Sequence, residues 1–119
     1  MNHHLVIDDR TVARVELADT AFRRARGMLA RRTLPDALLL RPCGSVHGTG
    51  MRVALDVAFL DRDDRVIDVV VLRPWAPPKG RRGAVAVLEA PLGSFDGWGL
   101  TVGSRVRAVD EATAAGDRP

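Results

Sequence analysis

The chain predicts a mainly β domain at the margin of α+β: a small antiparallel β-barrel or sandwich of about seven short strands with one helix near the N-terminus. Three observations carry this. Short runs of Val, Leu and Ile recur at close spacing, separated by links rich in Asp, Gly and Pro. Only the segment after Asp19 keeps helical spacing over several turns. The densest apolar stretch, Ser45 to Leu72, holds the clearest hairpin signal.

His4 to Ile7 and Thr11 to Leu17 are two apolar runs joined by Asp8-Asp9-Arg10, which reads as a turn. In the second run Ala13, Val15 and Leu17 alternate with Arg14 and Glu16, the pattern of a half-exposed strand. Asp19 or Thr20 can cap a helix running to about Arg31 or Arg32. Phe22, Ala25 and Leu29 share one face of it, with Met28 at its border and Arg23, Arg24 and Arg31 outward. Gly27 costs that helix roughly 1 kcal/mol against Ala, and close approach to a sheet would offset the cost. Leu34-Pro35-Asp36 ends the helix, Leu38-Leu39-Leu40 is a short buried strand, and Arg41 to Gly44 is a turn.

Within the central stretch, Val57 to Leu60 and Val66 to Leu72 pair across Asp61-Arg62-Asp63-Asp64-Arg65. Both runs are nearly continuous in apolar residues, so the strands are expected to be covered on both faces or to lie at the centre of a closed sheet. Gly48 and Gly50 mark a bulge, a bend, or a place where another group approaches the backbone. Arg73 to Gly83 holds three prolines and reads as a loop with polyproline character near Pro77-Pro78. Val85 to Glu89 is a strand, and Leu92 to Gly99 contains one helical turn with Phe95 and Trp98 packed and Gly99 as its stop. Arg105 to Val109 is the last strand.

The 119 residues suffice for one domain and are too few for two ordinary ones. Residues 1–109 are therefore assigned to a single compact β-rich domain, and the small, polar residues 110–119 to a disordered tail. Aromatics make up only 4% of the chain, so the core must be built from Val, Leu, Ala and Ile, and a base-stacking surface would be short of material. The charge is unevenly spread: residues 20–52 carry seven Arg and one Asp, whereas residues 53–72 carry two Arg and five Asp. A single cysteine, Cys43, excludes an intramolecular disulfide and fits a reducing compartment. Neither a secretory signal nor a run long enough for a membrane helix is seen, so a soluble, cytoplasmic protein is expected.

The ligand-binding candidates are His47, Met51, Arg52 and Asp56, with Arg26 on the helix and Trp75 in the proline loop. Asp56 and Arg26 can instead form a buried ion pair locking helix to sheet, which is the favoured reading of those two. The first expectation for function is a non-enzymatic binding or accessory module. It would present Gly48–Arg52 and the Trp75–Arg82 loop to a small anionic ligand or a protein partner. The alternative is a hydrolytic or metal-assisted enzyme using His47 with Cys43 or Asp56, since such chemistry needs a nucleophile or metal with imidazole and carboxylate in reach. A third is a nucleic-acid binder through Arg23, Arg24, Arg31, Arg32 and Arg52 with Lys79, Arg81 and Arg82, which the many acids elsewhere disfavour. No catalytic residue, metal site, cofactor or membrane contact is assigned.

Beyond these residue-level signals, the chain resembles the small prokaryotic family known as domain of unknown function 192. The resemblance is carried by Arg26-Gly27-Met28-Leu29, Arg32 and Leu34, then Cys43, Ser45-Val46-His47, Gly50-Met51-Arg52 and Leu55 to Asp61. Val87 to Pro91, Trp98-Gly99-Leu100 and Val102-Gly103 complete it. It spans roughly Val15 to Val109, and its specificity lies in the order and spacing of the pieces. It implies a compact, mostly β fold with an early helix, and it implies no activity. Many members of that family have an aromatic before the methionine and Lys-Asn after it, where this chain has Gly50, Arg52 and Val53, and a proline where Ala54 stands. A role of those family residues would not carry over.

Overall fold

The computed structural model describes residues 3–18 and 34–110. Among them lie nine strands and one short helix: β1 (His3–Ile7), β2 (Arg10–Ala18), β3 (Leu38–Leu40), β4 (Ser45–Val46), β5 (Leu55–Leu60), β6 (Val66–Leu72), β7 (Lys79–Gly80), β8 (Ala86–Pro91), α1 (Ser94–Trp98) and β9 (Val106–Asp110). The helix expected between Asp19 and Arg32 falls outside the described residues, and so do residues 111–119 of the expected tail. Asp110, assigned to that tail, is the last residue of β9.

Seven strands form one sheet in the order β6-β5-β8-β3-β2-β1-β9, and β4 pairs with β7 in a separate ribbon. Both expected hairpins are present. β1 and β2 are joined by Asp8-Asp9, whose φ values of 49° and 69° are the doubly left-handed signature of a two-residue hairpin turn. β5 and β6 are joined by Asp61–Arg65, where Asp61 Oδ1 accepts the N–H of Asp63 at 2.8 Å and of Arg65 at 3.0 Å. That short polar side chain supplies the turn's hydrogen bonds, so the apolar runs can pair at once.

The architecture departs from a small antiparallel barrel or sandwich in two respects. β2 and β3 run parallel, Glu16 opposite Leu38 and Ala18 opposite Leu40, so the sheet is mixed. A parallel pair needs a long crossover, and residues 19–37 supply the length for one. Nor is the sheet closed. Its edges β6 and β9 meet only at one corner, through an isolated bridge between Arg65 and Arg105. There the Val66 N–H donates to the Ser104 carbonyl at 2.9 Å, and the Gly103 N–H to the Val66 carbonyl at 2.8 Å. Gly103, at φ 92°, turns the chain through this corner, after which β9 leaves to pair with β1 and the seam stays open.

Two apolar clusters occupy the two faces of the sheet. Leu5, Ile7, Val15, Leu39, Ala58, Leu60, Leu88 and Val106 belong to the inner one, closed by Phe95 of α1. Leu38, Leu40, Leu55, Val57, Phe59, Leu72 and Val87 belong to the outer one, covered by Val46 and Met51 from the β4 region. All six residues of β5 are buried, Leu55, Val57 and Phe59 on the outer face and Ala58 and Leu60 on the inner. This double coverage is why its sequence reads as a continuous apolar run and not as an alternation. Each fully buried Leu, Val or Phe side chain among them contributes roughly 1.5–3 kcal/mol.

Edge strand β6 is handled separately. Asp68 Oδ1 accepts the Val69 N–H at 2.8 Å, and Arg81 Nε donates to Asp68 Oδ2 at 2.6 Å. The Arg81 guanidinium also lies 5.2 Å above the ring of buried Phe59, so this arginine serves the fold.

Candidate functional site

The two loops expected to form a site do come together. β4 and β7 align them, with Ser45 opposite Gly80 and Val46 opposite Lys79. Each then makes a tight turn. Gly48-Thr49-Gly50-Met51 is closed by the Met51 N–H on the Gly48 carbonyl at 3.0 Å, and Arg73-Pro74-Trp75-Ala76 by the Ala76 N–H on the Arg73 carbonyl at 3.1 Å. The turns are tied to each other: the Gly48 N–H donates to the Ala76 carbonyl at 2.9 Å, and the Trp75 N–H donates to the Gly48 carbonyl at 2.6 Å. Gly48 is required here by close approach. A Cβ at this position would stand 2.0 Å from the Arg73 carbonyl oxygen and 2.6 Å from the Ala76 nitrogen.

The third residue of each turn is left-handed, Gly50 at φ 79° and Trp75 at φ 63°. Glycine is the ordinary occupant of that position. A tryptophan there costs roughly 1–2 kcal/mol. The indole gains little burial in return, since Trp75 is 71% exposed. A strained backbone displaying a large aromatic side chain is an observation from which function can be argued.

Around Trp75 the loops carry Arg52, Arg73, Lys79, Arg81 and Arg82, with no Asp or Glu between Gly44 and Leu55 or between Arg73 and Ala84. Arg81 is committed to Asp68. His47 and Arg52 are exposed, and the Thr49 N–H donates to His47 Nδ1 at 3.2 Å, which leaves Nε2 as the ring's second polar atom. Met51, 8% exposed, belongs to the outer apolar cluster and acts as packing.

Asp56 is not part of this surface. Its strand neighbours Leu55 and Val57 face outward, so its carboxylate faces inward, where Oδ2 accepts the N–H of Gly93 at 2.9 Å and of Phe95 at 3.0 Å. It caps α1 from a neighbouring strand, satisfying donors that the first turn of a helix leaves unpaired. Its partners among the described residues are main-chain donors; the expected partner Arg26, with Arg23, Arg24, Arg31 and Arg32, lies outside the described residues. Of Cys43, His47 and Asp56, the carboxylate lies apart from the imidazole. Cys43 Sγ donates to the Ser45 carbonyl at 3.2 Å, and Asp56 stands on the other face of the sheet from His47.

Cavities open elsewhere. One of about 350 Å³ is lined by Leu17, Leu39, Arg41, Asp64, Val106, Arg107 and Ala108. Another of about 400 Å³ is lined by His3, Arg14, Val15, Glu16 and the Leu34–Asp36 segment. Neither is lined by His47, Met51, Arg52, Asp56 or Trp75. The first joins residues far apart in sequence, so no local motif announces it. No helix among the described residues is long and apolar enough to cross a membrane.

The family model of domain of unknown function 192, described as "Uncharacterized ACR", matches residues 4–108, from β1 into β9. The chain belongs to this family. Among its relatives, a UPF0127 protein of Pyrococcus furiosus is 33% identical over 97 residues, 77% of this chain and 84% of the relative. A UPF0127 protein of Pyrococcus abyssi is 33% identical over 101 residues, 81% of this chain and 86% of the relative. Two solved structures share the fold. A protein of unknown function from Novosphingobium aromaticivorans superposes with a TM-score of 0.71 at 24% identity, covering 90% of this chain and 84% of that one. A Sinorhizobium meliloti protein provisionally designated a transcription regulator gives 0.78 at 20% identity, covering 91% and 94%. The family is one of unknown function.

Proposed function

We propose that the chain is a non-enzymatic accessory module that docks an acidic surface of a protein partner through Trp75 and the cations around it. The observation that supports this most is the tie between the Gly48 and Trp75 turns, which holds an indole outward at a strained φ. Tryptophan and arginine dominate interface hot spots because they offer large contact area and fixed donors. Arg52, Arg73 and Arg82 have no ion-pair partner among the described residues, so a partner's carboxylates would not have to displace internal ones. Small ligands prefer concave sites, whereas Trp75 stands out into solvent, which favours a macromolecular surface. An enzymatic reading has less support, because the carboxylate it could use stands on the other face of the sheet from the imidazole.

A photo-cross-linking residue placed at Trp75 tests the reading, with one at exposed Arg62 as control. We expect a discrete adduct at Trp75 in cells and none at Arg62. Reconstituted with the adduct partner, Trp75→Ala should cost at least about 2 kcal/mol of binding. Arg73→Glu should weaken it further at low salt than at high salt. Equal cross-linking at both positions would sink the reading.

A further inference from the structure

We propose that the open seam of the sheet is a second site, one that binds a small organic carboxylate with an apolar body. This inference is independent of the Trp75 surface. The cavity of about 350 Å³ lies where the end of β3, the β5–β6 link and β9 face one another without a continuous ladder. Its floor is apolar: Leu39 and Val106 belong to the inner cluster, and Leu17 and Ala108 pack against it. Among the described residues its polar groups are Arg41, Arg107 and Asp64, two cations and one anion, so the described lining carries a net positive charge. Arg41 Nη2 holds Asp64 Oδ1 at 2.8 Å, which fixes this guanidinium beside the opening. Arg107 lies 3.8 Å from Asp9, beyond hydrogen-bond distance, and that aspartate is 90% exposed, so the contact is weak and screened.

An apolar floor beneath a net cationic lining selects by two terms. The hydrocarbon part of a ligand gains by leaving water, and its carboxylate gains a charge-assisted bond to a guanidinium, which can engage both oxygens at once. A cavity near the lower end of the range for small-molecule sites suits a single ring or a short branched chain. A neutral ligand of the same shape would leave the charge unused. A polyanion would meet Asp64 and Asp9 as well as the arginines.

The test is an amide-resolved NMR titration of the full chain with phenylacetate, and in parallel with phenylacetamide, its neutral isostere. Saturable shifts are expected for phenylacetate at Leu17, Leu39, Asp64 and Val106–Ala108, with a dissociation constant of about 1 mM or tighter. Phenylacetamide should bind at least about tenfold more weakly, as loss of a charge-assisted hydrogen bond implies. Arg107→Gln, at an exposed position that spares the fold, should produce the same loss, and Arg62→Gln, which removes an equal charge outside the cavity, should not. Ala108→Leu, which fills the cavity, should abolish the shifts. Equal affinity for acid and amide, equal losses in both arginine variants, or shifts located elsewhere would each overturn the proposal.

Discussion

Among the described residues the sheet has two covers, and they treat their tryptophans in opposite ways. On the inner face, α1 buries Phe95 and packs Trp98 against it with ring centroids 5.9 Å apart. It is fastened by a buried carboxylate, Asp56. On the outer face, the β4–β7 ribbon and its turns bury Val46 and Met51 but hold Trp75 out in water. They are fastened by main-chain hydrogen bonds around Gly48. A cover that hides its aromatic residues lowers the free energy of the fold. One that displays them at a backbone cost does something else, and recognition of a partner is the use we assign.

The comparison can be broken most severely at Asp56. Asp56→Ala leaves the buried Phe95 N–H and the part-buried Gly93 N–H without an acceptor and should cost about 2–4 kcal/mol, read as a lowered midpoint in urea unfolding. Asp56→Asn keeps one acceptor oxygen and should cost less. A variant as stable as the parent would show that the inner cover does not depend on this carboxylate. Next comes Gly48→Ala. The clash is with main-chain atoms, which cannot swing away, so the turns must part at a cost of about 1–3 kcal/mol. The signature to seek is a loss of protection at the Gly48 and Trp75 amides with the inner core unchanged, measured by amide exchange. Protection lost evenly across both faces would mean that the covers are not separable.

The smallest effect lies outside both covers and comes from acid. The carboxyl of Asp8 is held below its ordinary 3.8, chiefly by the Arg105 N–H, and that of Asp68 likewise, chiefly by Arg81. A group more acidic in the folded chain contributes stability above its unfolded value and loses it as pH falls through the lowered folded value. The melting temperature should therefore hold steady down to about pH 4 and decline below it, with part of the slope removed in Asp68→Asn. Both groups are solvent-accessible, so the decline should be shallow; an unchanged slope in that variant would remove Asp68 from the account.

Local chemistry was legible in the sequence and long-range geometry was not. The two hairpins, the stop at Gly99 and the close approach at Gly48 follow from turn residues and glycines, whose effects are confined to a few neighbours. The parallel pairing of β2 with β3 depends on a crossover and has no local marker. The facing of Asp56 was hidden for a physical reason: when both faces of a strand are buried, polarity no longer alternates, so nothing in Leu55–Leu60 says which way the carboxylate points. Glu89, only 5% exposed, was concealed in the same way on β8. Trp75 was legible as a loop tryptophan, but its positive φ and its tie to Gly48 needed coordinates.

The arrangement at Asp68 has a consequence for the life of the chain in a crowded solution. A valine-rich strand with one edge left unpaired is the kind of template on which cross-β fibrils grow, one molecule docking its backbone onto the next. By drawing one of that strand's donors onto a carboxylate, and anchoring the carboxylate with an arginine, the protein places a charged stop in the middle of the segment most able to seed such growth.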